Sequence, residues 1–243
     1  MHDQLRQRLK TATRLAVLTG AGISAESGVP TFRSPAGLWT KFKPEELANM
    51  RAFMQNTELV WEWYEHRRHV VESVEPNAGH YALVEMEKYF DRLDIITQNV
   101  DGLHSRAGST NVHELHGSLR VHRCLDCGRP YDLKPDIAGV PKCPECGGLI
   151  RPGVVWFGEM LPEDAWDKSE KAAQRCEVFM TVGTSALVVP AAYLPFTAAS
   201  QGAYVIEVNP EETEFTRYAD LSLRGPAGEE LPNLLELVKQ VKS

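Results

Sequence analysis

The stretch Gly20 to Arg33, GAGISAESGVPTFR, constrains this chain more than any other. It follows a short apolar run, Leu15-Ala16-Val17-Leu18, that reads as a buried strand. Gly20, Gly22 and Ala25 fit the G-x-G-x-x-G/A spacing that follows the first strand of a dinucleotide-binding fold. Small residues at those points let the backbone approach a pyrophosphate, whose charge then faces amide groups and a helix N-terminus. The same spacing also fits a plain tight turn between a strand and a helix. A dehydrogenase would carry an acidic ribose ligand on a second strand about 20 residues further on. Here that region reads LWTKFKPEELAN, with no strand before Glu45 or Glu46. The pattern therefore admits a nucleotide and disfavours ordinary hydride transfer.

Three more apolar runs end the same way. Leu93 to Thr97 leads into Gln98-Asn99-Val100-Asp101-Gly102, Val178 to Val182 into Gly183-Thr184-Ser185, and Tyr204 to Val208 into Asn209-Pro210-Glu211. Open α/β sheets place their ligands just past the carboxyl ends of their strands, so four polar tips together say more than any one loop. Val178 to Ile206 carries no charge and is long enough to span a membrane. Gly183, Pro190 and Pro195 interrupt it, and it reads instead as strand, loop, packed helix and strand, buried on both faces. Helical spacing appears over 3–13, 59–73 and 80–89, and 35–58 reads as a mobile loop leading to short helices.

With 243 residues, 43% hydrophobic, the chain suffices for one sizeable domain, or one domain with a small insert. A net charge of -7 argues against a general nucleic-acid binder. The N-terminal MHDQLRQRLKTATR lacks the apolar core of a secretory signal, so a cytoplasmic chain with no membrane partner is expected.

Four of the five cysteines form two Cys-x-x-Cys pairs, Cys124 with Cys127 and Cys143 with Cys146, 15 residues apart. That spacing matches a zinc signature, and four thiolates leave no open position for water or substrate, so the ion should be structural. Charges across 119–151 are too mixed for a surface that tracks phosphates. Cys176 stands apart and reads as a small, inert residue on a helix near the core.

TQNVDGLH at 97–104, HELHG at 113–117 and RPGVVWFGE at 151–159 join the glycine loop and the four cysteines in one order along the chain. Together they resemble the sirtuins, a family of NAD-dependent protein-lysine deacylases, from about Leu15 to Pro232. The resemblance implies a Rossmann-like parallel sheet domain, about 1–43, 90–118 and 152–243, with a helical insertion at about 44–89 and a zinc module at about 119–151. It implies NAD as co-substrate, one structural zinc, acyl-lysine protein or peptide substrates, and a monomer.

The resemblance also assigns roles. His116 would be the catalytic base, and His104 and His113 would be structural. In the implied reaction, the acyl oxygen of a modified lysine attacks C1′ of the nicotinamide ribose and nicotinamide leaves. His116 then deprotonates a ribose hydroxyl, and water completes release of lysine and O-acyl-ADP-ribose. Asn99 and Asp101 would line the nicotinamide pocket, with Asn99 holding a water or the ribose, and Gln98 would contact the ribose. Gly20, Ala21, Gly22 and Ser24 would cradle phosphates, Phe32 and Arg33 would close over the cofactor, and Trp39 would also bind it. Gly183, Thr184, Ser185, Asn209, Pro210 and Glu211 would bind the adenosine half, with Ala227 near the adenine. Phe157, Gly158 and Glu159, and Leu187, Val188 and Val189, would flank the peptide, which can add as a strand between them.

Many sirtuins carry Asp before the Phe-Arg pair, where this chain has Thr31. Tyr64 and Arg67, three apart, point from one face of the helix expected at 59–73. A phenol beside a guanidinium makes a receptor for a carboxylate. VWEWYEHRR and TFRSPAGLW resemble the sirtuin subgroup that removes succinyl and malonyl groups, in which the matching Tyr and Arg bind the acyl carboxylate. Two other functions fit the same residues: ADP-ribosyl transfer to a protein, and NAD sensing without catalysis by a zinc-stabilised interaction module.

Overall fold

The computed structural model describes residues 2–30, 44–132 and 139–242, so the expected contacts of Thr31, Phe32, Arg33 and Trp39 lie outside the described residues. In order, the chain forms α1 (His2–Thr11), β1 (Arg14–Thr19), a 3₁₀ helix (Ala21–Ser27), α2 (Pro44–Leu47), α3 (Met50–Gln55), α4 (Thr57–Ser73) and α5 (Ala78–Met86). It continues through β2 (Arg92–Thr97), α6 (Leu103–Ala107), β3 (Val112–Glu114), β4 (Gly117–Cys124), β5 (Pro130–Tyr131) and β6 (Ile150–Val154). It closes with α7 (Glu163–Arg175), β7 (Val178–Val182), α8 (Leu194–Ser200), β8 (Tyr204–Val208), β9 (Leu221–Leu223) and α9 (Ala227–Lys242).

Six strands make one parallel sheet in the order β3-β2-β1-β7-β8-β9. This is the doubly wound order of dinucleotide-binding domains, and its direction reverses between β1 and β7. Strand side chains alternate between two cores. Val17, Ile95, Met180 and Ile206 point toward α1, α5 and α9, where Leu9, Leu83, Met86, Leu231 and Val238 close one core. Leu18, Ile96, Phe179 and Val205 point the other way, against Ala173 of α7 and Leu194 and Ala198 of α8. Burial on both faces explains why these strands read as continuous apolar runs.

The expected strands and the chain plan of 178–206 match the structure. The helix expected at 80–89 is α5, which packs through Ala82, Leu83 and Met86 on the sheet core with α9, and so belongs to the parallel-sheet layer. Helices α2 to α4 gather around a separate cluster that includes Phe53, Val60, Trp63 and Trp156. Cys176 is buried as expected, and burial pushes its thiol up to about 12.

Behind the sheet tips lie two buried imidazoles. His80 accepts from the Asn77 backbone N–H at 3.3 Å, and His104 Nε2 lies 3.0 Å from Thr19 Oγ1, with the two ring centroids 4.9 Å apart. Burial pushes His80 down to about 4 and His104 down to about 3, so both rings are neutral in the folded chain near neutral pH. Unfolding lets them take up protons at ordinary histidine values. Their contribution to stability is therefore whole above about pH 6.5 and falls by about 1.4 kcal/mol per pH unit for each ring as pH drops toward about 4. Denaturant titrations at about pH 7.5 and about pH 5 should differ accordingly, and equal unfolding free energies would contradict this placement.

The four-cysteine module is built on a three-stranded antiparallel sheet, β5-β4-β6. Its cysteines are free thiols whose sulfurs all lie within 4.8 Å of one another, with Cys124 and Cys146 3.4 Å apart and Cys127 and Cys143 3.8 Å apart. These gaps are too wide for disulfides and suit four thiolates around one tetrahedral ion. Gly128 and Gly147, at φ 70 and 77, supply the left-handed turn after each pair. Zinc fits this donor set. Metal analysis should find one zinc per chain, and a strong chelator should lower the melting temperature; a chain that keeps its stability after complete metal removal would refute a structural role.

Candidate active site

A cleft of about 1210 Å³ opens at the carboxyl ends of the parallel strands. It lies at the reversal point, where Gly20, Ala21 and Gly22 follow β1 and Gly183, Thr184 and Ser185 follow β7. Gln98, Asn99 and Asp101 enter it after β2, and Asn209 after β8. The opposite wall comes from α4 and the segment after β6, with Tyr64, Arg67, Trp156, Phe157, Gly158 and Glu159. Such a volume exceeds the roughly 300–1,000 Å³ of most small-molecule sites, which leaves room for a dinucleotide and a lysine side chain together.

His116 sits in the turn between β3 and β4 and lines the cleft. Its Nδ1 lies 3.0 Å from the Gln98 carbonyl, which can only accept, so Nδ1 carries the proton and Nε2 keeps its lone pair. Burial lowers its pKa below the ordinary histidine value, partly offset by the Gln98 carbonyl, so the ring is neutral near neutral pH. The His116 carbonyl accepts from Val155 N–H at 2.8 Å, which pins the backbone. The next residue, Gly117, has φ 72, and a Cβ there would collide with the Gly153 carbonyl, so the turn that presents His116 requires glycine.

Ser24 acts from behind the cleft wall. Fully buried, it donates to Asp101 Oδ2 at 2.7 Å and accepts from Asn99 Nδ2 at 3.2 Å. Asn99 Nδ2 also donates to the Gly20 carbonyl at 2.9 Å, and Asp101 Oδ1 accepts from Leu103 N–H at 2.9 Å. Burial raises the Asp101 carboxyl, offset by the Leu103 and Ser24 hydrogen bonds. One serine thus fixes the glycine loop to the Asn99–Asp101 loop.

The two glycines also play a part the sequence pattern does not state. A Cβ on Gly20 or Gly22 would strike Gly183 or Thr184, and Gly22 N–H donates to the Gly183 carbonyl at 2.8 Å. They let the tips of β1 and β7 touch. Ala25 is exposed on a 3₁₀ helix, so the third small position of the motif does not pack a helix onto a strand here. Thr184 ties the tips together: its hydroxyl accepts from Gln98 Nε2 and its carbonyl from Asn209 Nδ2, each at 3.0 Å.

On the far wall, Trp156 Nε1 donates to the Tyr64 hydroxyl at 3.0 Å. Indole nitrogen only donates, so the Tyr64 oxygen is the acceptor and its own proton is available to a ligand. Burial pushes Tyr64 up to about 12, which keeps that proton on. Arg67 stacks 4.8 Å from the Trp63 ring centroid and 5.7 Å from that of Tyr64. Burial pushes its guanidinium down to about 10, offset by Tyr64 and Asp101, and it remains a cation near neutral pH.

Other residues fall elsewhere. Glu159 borders the cleft, but its carboxylate meets Arg151 Nη2 at 3.0 Å and the Trp156 N–H at 2.8 Å, so it braces the wall. Its pKa is lowered by those hydrogen bonds in spite of the desolvation that opposes them. Phe157 and Val188 are exposed at the rim. Pro210 and Glu211 are exposed beyond the β8 tip, and Ala227 is buried in the sheet core at the start of α9; none of the three lines the cleft. His104 and His113 face inward, His113 against Asp94 at 2.9 Å, in keeping with structural roles. Trp156 escaped the sequence reading; its only signal was an aromatic inside RPGVVWFGE.

A family model described as the Sir2 family matches residues 20–190. The chain belongs to the Sir2 family. It is 49% identical to NAD-dependent protein deacylase 1 of Archaeoglobus fulgidus over 245 residues, covering 100% of both chains. It resembles a Sir2 homolog–NAD complex with a TM-score of 0.95 and 48% identity, covering 100% of this chain and 96% of that one. It also resembles a Sir2–p53 peptide–NAD+ structure with a TM-score of 0.87 and 32% identity, covering 97% of this chain and 98% of that one. The Sir2 match spans every element that contributes to the cleft except the Asn209 tip.

Proposed function

We propose that this chain uses NAD to remove acyl groups from protein lysines, and that succinyl and malonyl groups are favoured over acetyl. Membership of the Sir2 family and close kinship with NAD-dependent protein deacylases support the reaction class. NAD supplies the chemistry: a ribose carbon that loses nicotinamide and accepts the acyl oxygen. Gln98, Asn99, Thr184 and Asn209 offer fixed polar groups around the dinucleotide's course across the strand tips. His116 Nε2, neutral and facing the cleft, takes a proton from a hydroxyl brought against it. The exposed rims at Phe157 and Val188 leave an edge along which an extended peptide can lie.

One observation carries the acyl preference: Tyr64 and Arg67 enter the same cleft as His116, one with a donatable proton and one with a charge. Together they match a carboxylate at the end of a short acyl chain. The test is a set of otherwise identical acetyl-, malonyl- and succinyl-lysine peptides incubated with NAD. Higher kcat/KM on the two acidic acyl groups is expected. A clear preference for acetyl would overturn the acyl assignment and leave deacylation standing.

A further inference from the structure

The helix that presents Tyr64 and Arg67 has a second buried side. Trp61, 4% exposed, packs in one cluster with Cys124, Cys143 and Ile150 of the four-cysteine module. Its ring centroid lies 5.7 Å from that of the buried His122 on β4. One turn further, Glu65 Oε1 comes within 3.8 Å of His122 Nε2, and Arg68 grips the same carboxylate through Nε at 3.1 Å and Nη2 at 2.7 Å. Positions 61, 65 and 68 form one stripe of α4, and 60, 63, 64, 67 and 71 form the neighbouring stripe. The first stripe faces the cysteine module. The second packs on Trp156 and Leu119 and borders the cleft.

We propose that Trp61 is a positioning residue for acyl selectivity: wedged against the four-cysteine module, it fixes the roll of α4 and so sets where Tyr64 and Arg67 stand. The proposal rests on the carboxylate-receptor reading above. Side-chain tips lie about 6 Å from a helix axis, so a roll of about 10° carries them about 1 Å. A displacement of that size can cost up to about a hundredfold in a reaction that depends on the contact. A neutral acetyl group does not use the Arg67 charge and is spared most of that loss. The cysteine module, remote from the reacting atoms, thereby acts on which acyl group is accepted.

The test measures kcat and KM on matched succinyl- and acetyl-lysine peptides, calorimetric peptide binding, and zinc content. Trp61→Ala should lower the succinyl-to-acetyl ratio of kcat/KM about tenfold, chiefly through a higher KM and weaker binding of the succinyl peptide. Its zinc content should stay at one per chain. Trp61→Phe, which keeps a ring on the module, should restore most of the ratio. Should Trp61→Ala fail to fold, Glu65→Gln loosens the same contact more gently and should shift the ratio in the same direction. Equal losses on both peptides, or an unchanged ratio in the folded variants, would overturn the positioning role. Arg67→Met in the same assay separates the two claims: an unchanged ratio there overturns the receptor reading as well, whereas a lowered ratio there alone overturns only the part given to Trp61.

Discussion

Replacing His116 with alanine should cut deacylation by about three orders of magnitude, the middle of the range for losing a positioned general base. The ring is the imidazole in the cleft whose Nδ1 is engaged by a carbonyl and whose Nε2 is left with a lone pair. The other buried imidazoles are turned inward: His104 to Thr19, His80 to Asn77, His113 to Asp94 and His122 to Glu65. The fold should survive, because the turn is held by the Gly117 backbone and the Val155 hydrogen bond, neither of which needs the ring. The variant should therefore keep its zinc and melting temperature. Since burial lowers the His116 pKa, the base form dominates at neutral pH, and kcat/KM should fall only on the acid side of the ordinary histidine value. Full activity in the variant, measured by peptide mass, would remove His116 from the mechanism, and an acid limb centred above neutrality would contradict its environment.

The second large effect falls on Arg67. Arg67→Met keeps an apolar stem against Trp63 but removes the charge. Leaving a buried carboxylate without its partner costs about 2–5 kcal/mol, so desuccinylation should fall by roughly 30-fold to several thousandfold. Deacetylation should change only a few-fold, because that acyl group brings no charge to the site. The gap between the two is the diagnostic quantity. Parallel kinetics on succinyl and acetyl peptides would sink the receptor if both rates fell together.

The core strands were legible because burial on both faces makes them continuous apolar runs, and β7 and β8 match their expected limits. The edge strands β3 and β9 were not, since three residues are too few to show a period of two. The cysteine module was legible from spacing alone, because four thiolates at those intervals have few other uses. Tyr64 and Arg67 were legible because helical periodicity puts positions three apart on one face. Ser24, Gly20 and Gly22 were expected beside a phosphate, but the contacts they make within the protein, with Asp101, Asn99 and Gly183, were not legible. Those partners lie far along the chain, and local spacing carries no record of which tip another tip will touch. For the same reason the helix read at 80–89 gave no sign that α5 packs beside α9 on one face of the sheet.

The most direct measurement is mass spectrometry of the products formed from NAD and a succinyl-lysine peptide. Free lysine peptide, nicotinamide and an ADP-ribose that carries the succinyl group are expected in equal amounts. An intact acyl peptide, with ADP-ribose attached to the peptide or to the protein itself, would contradict deacylation.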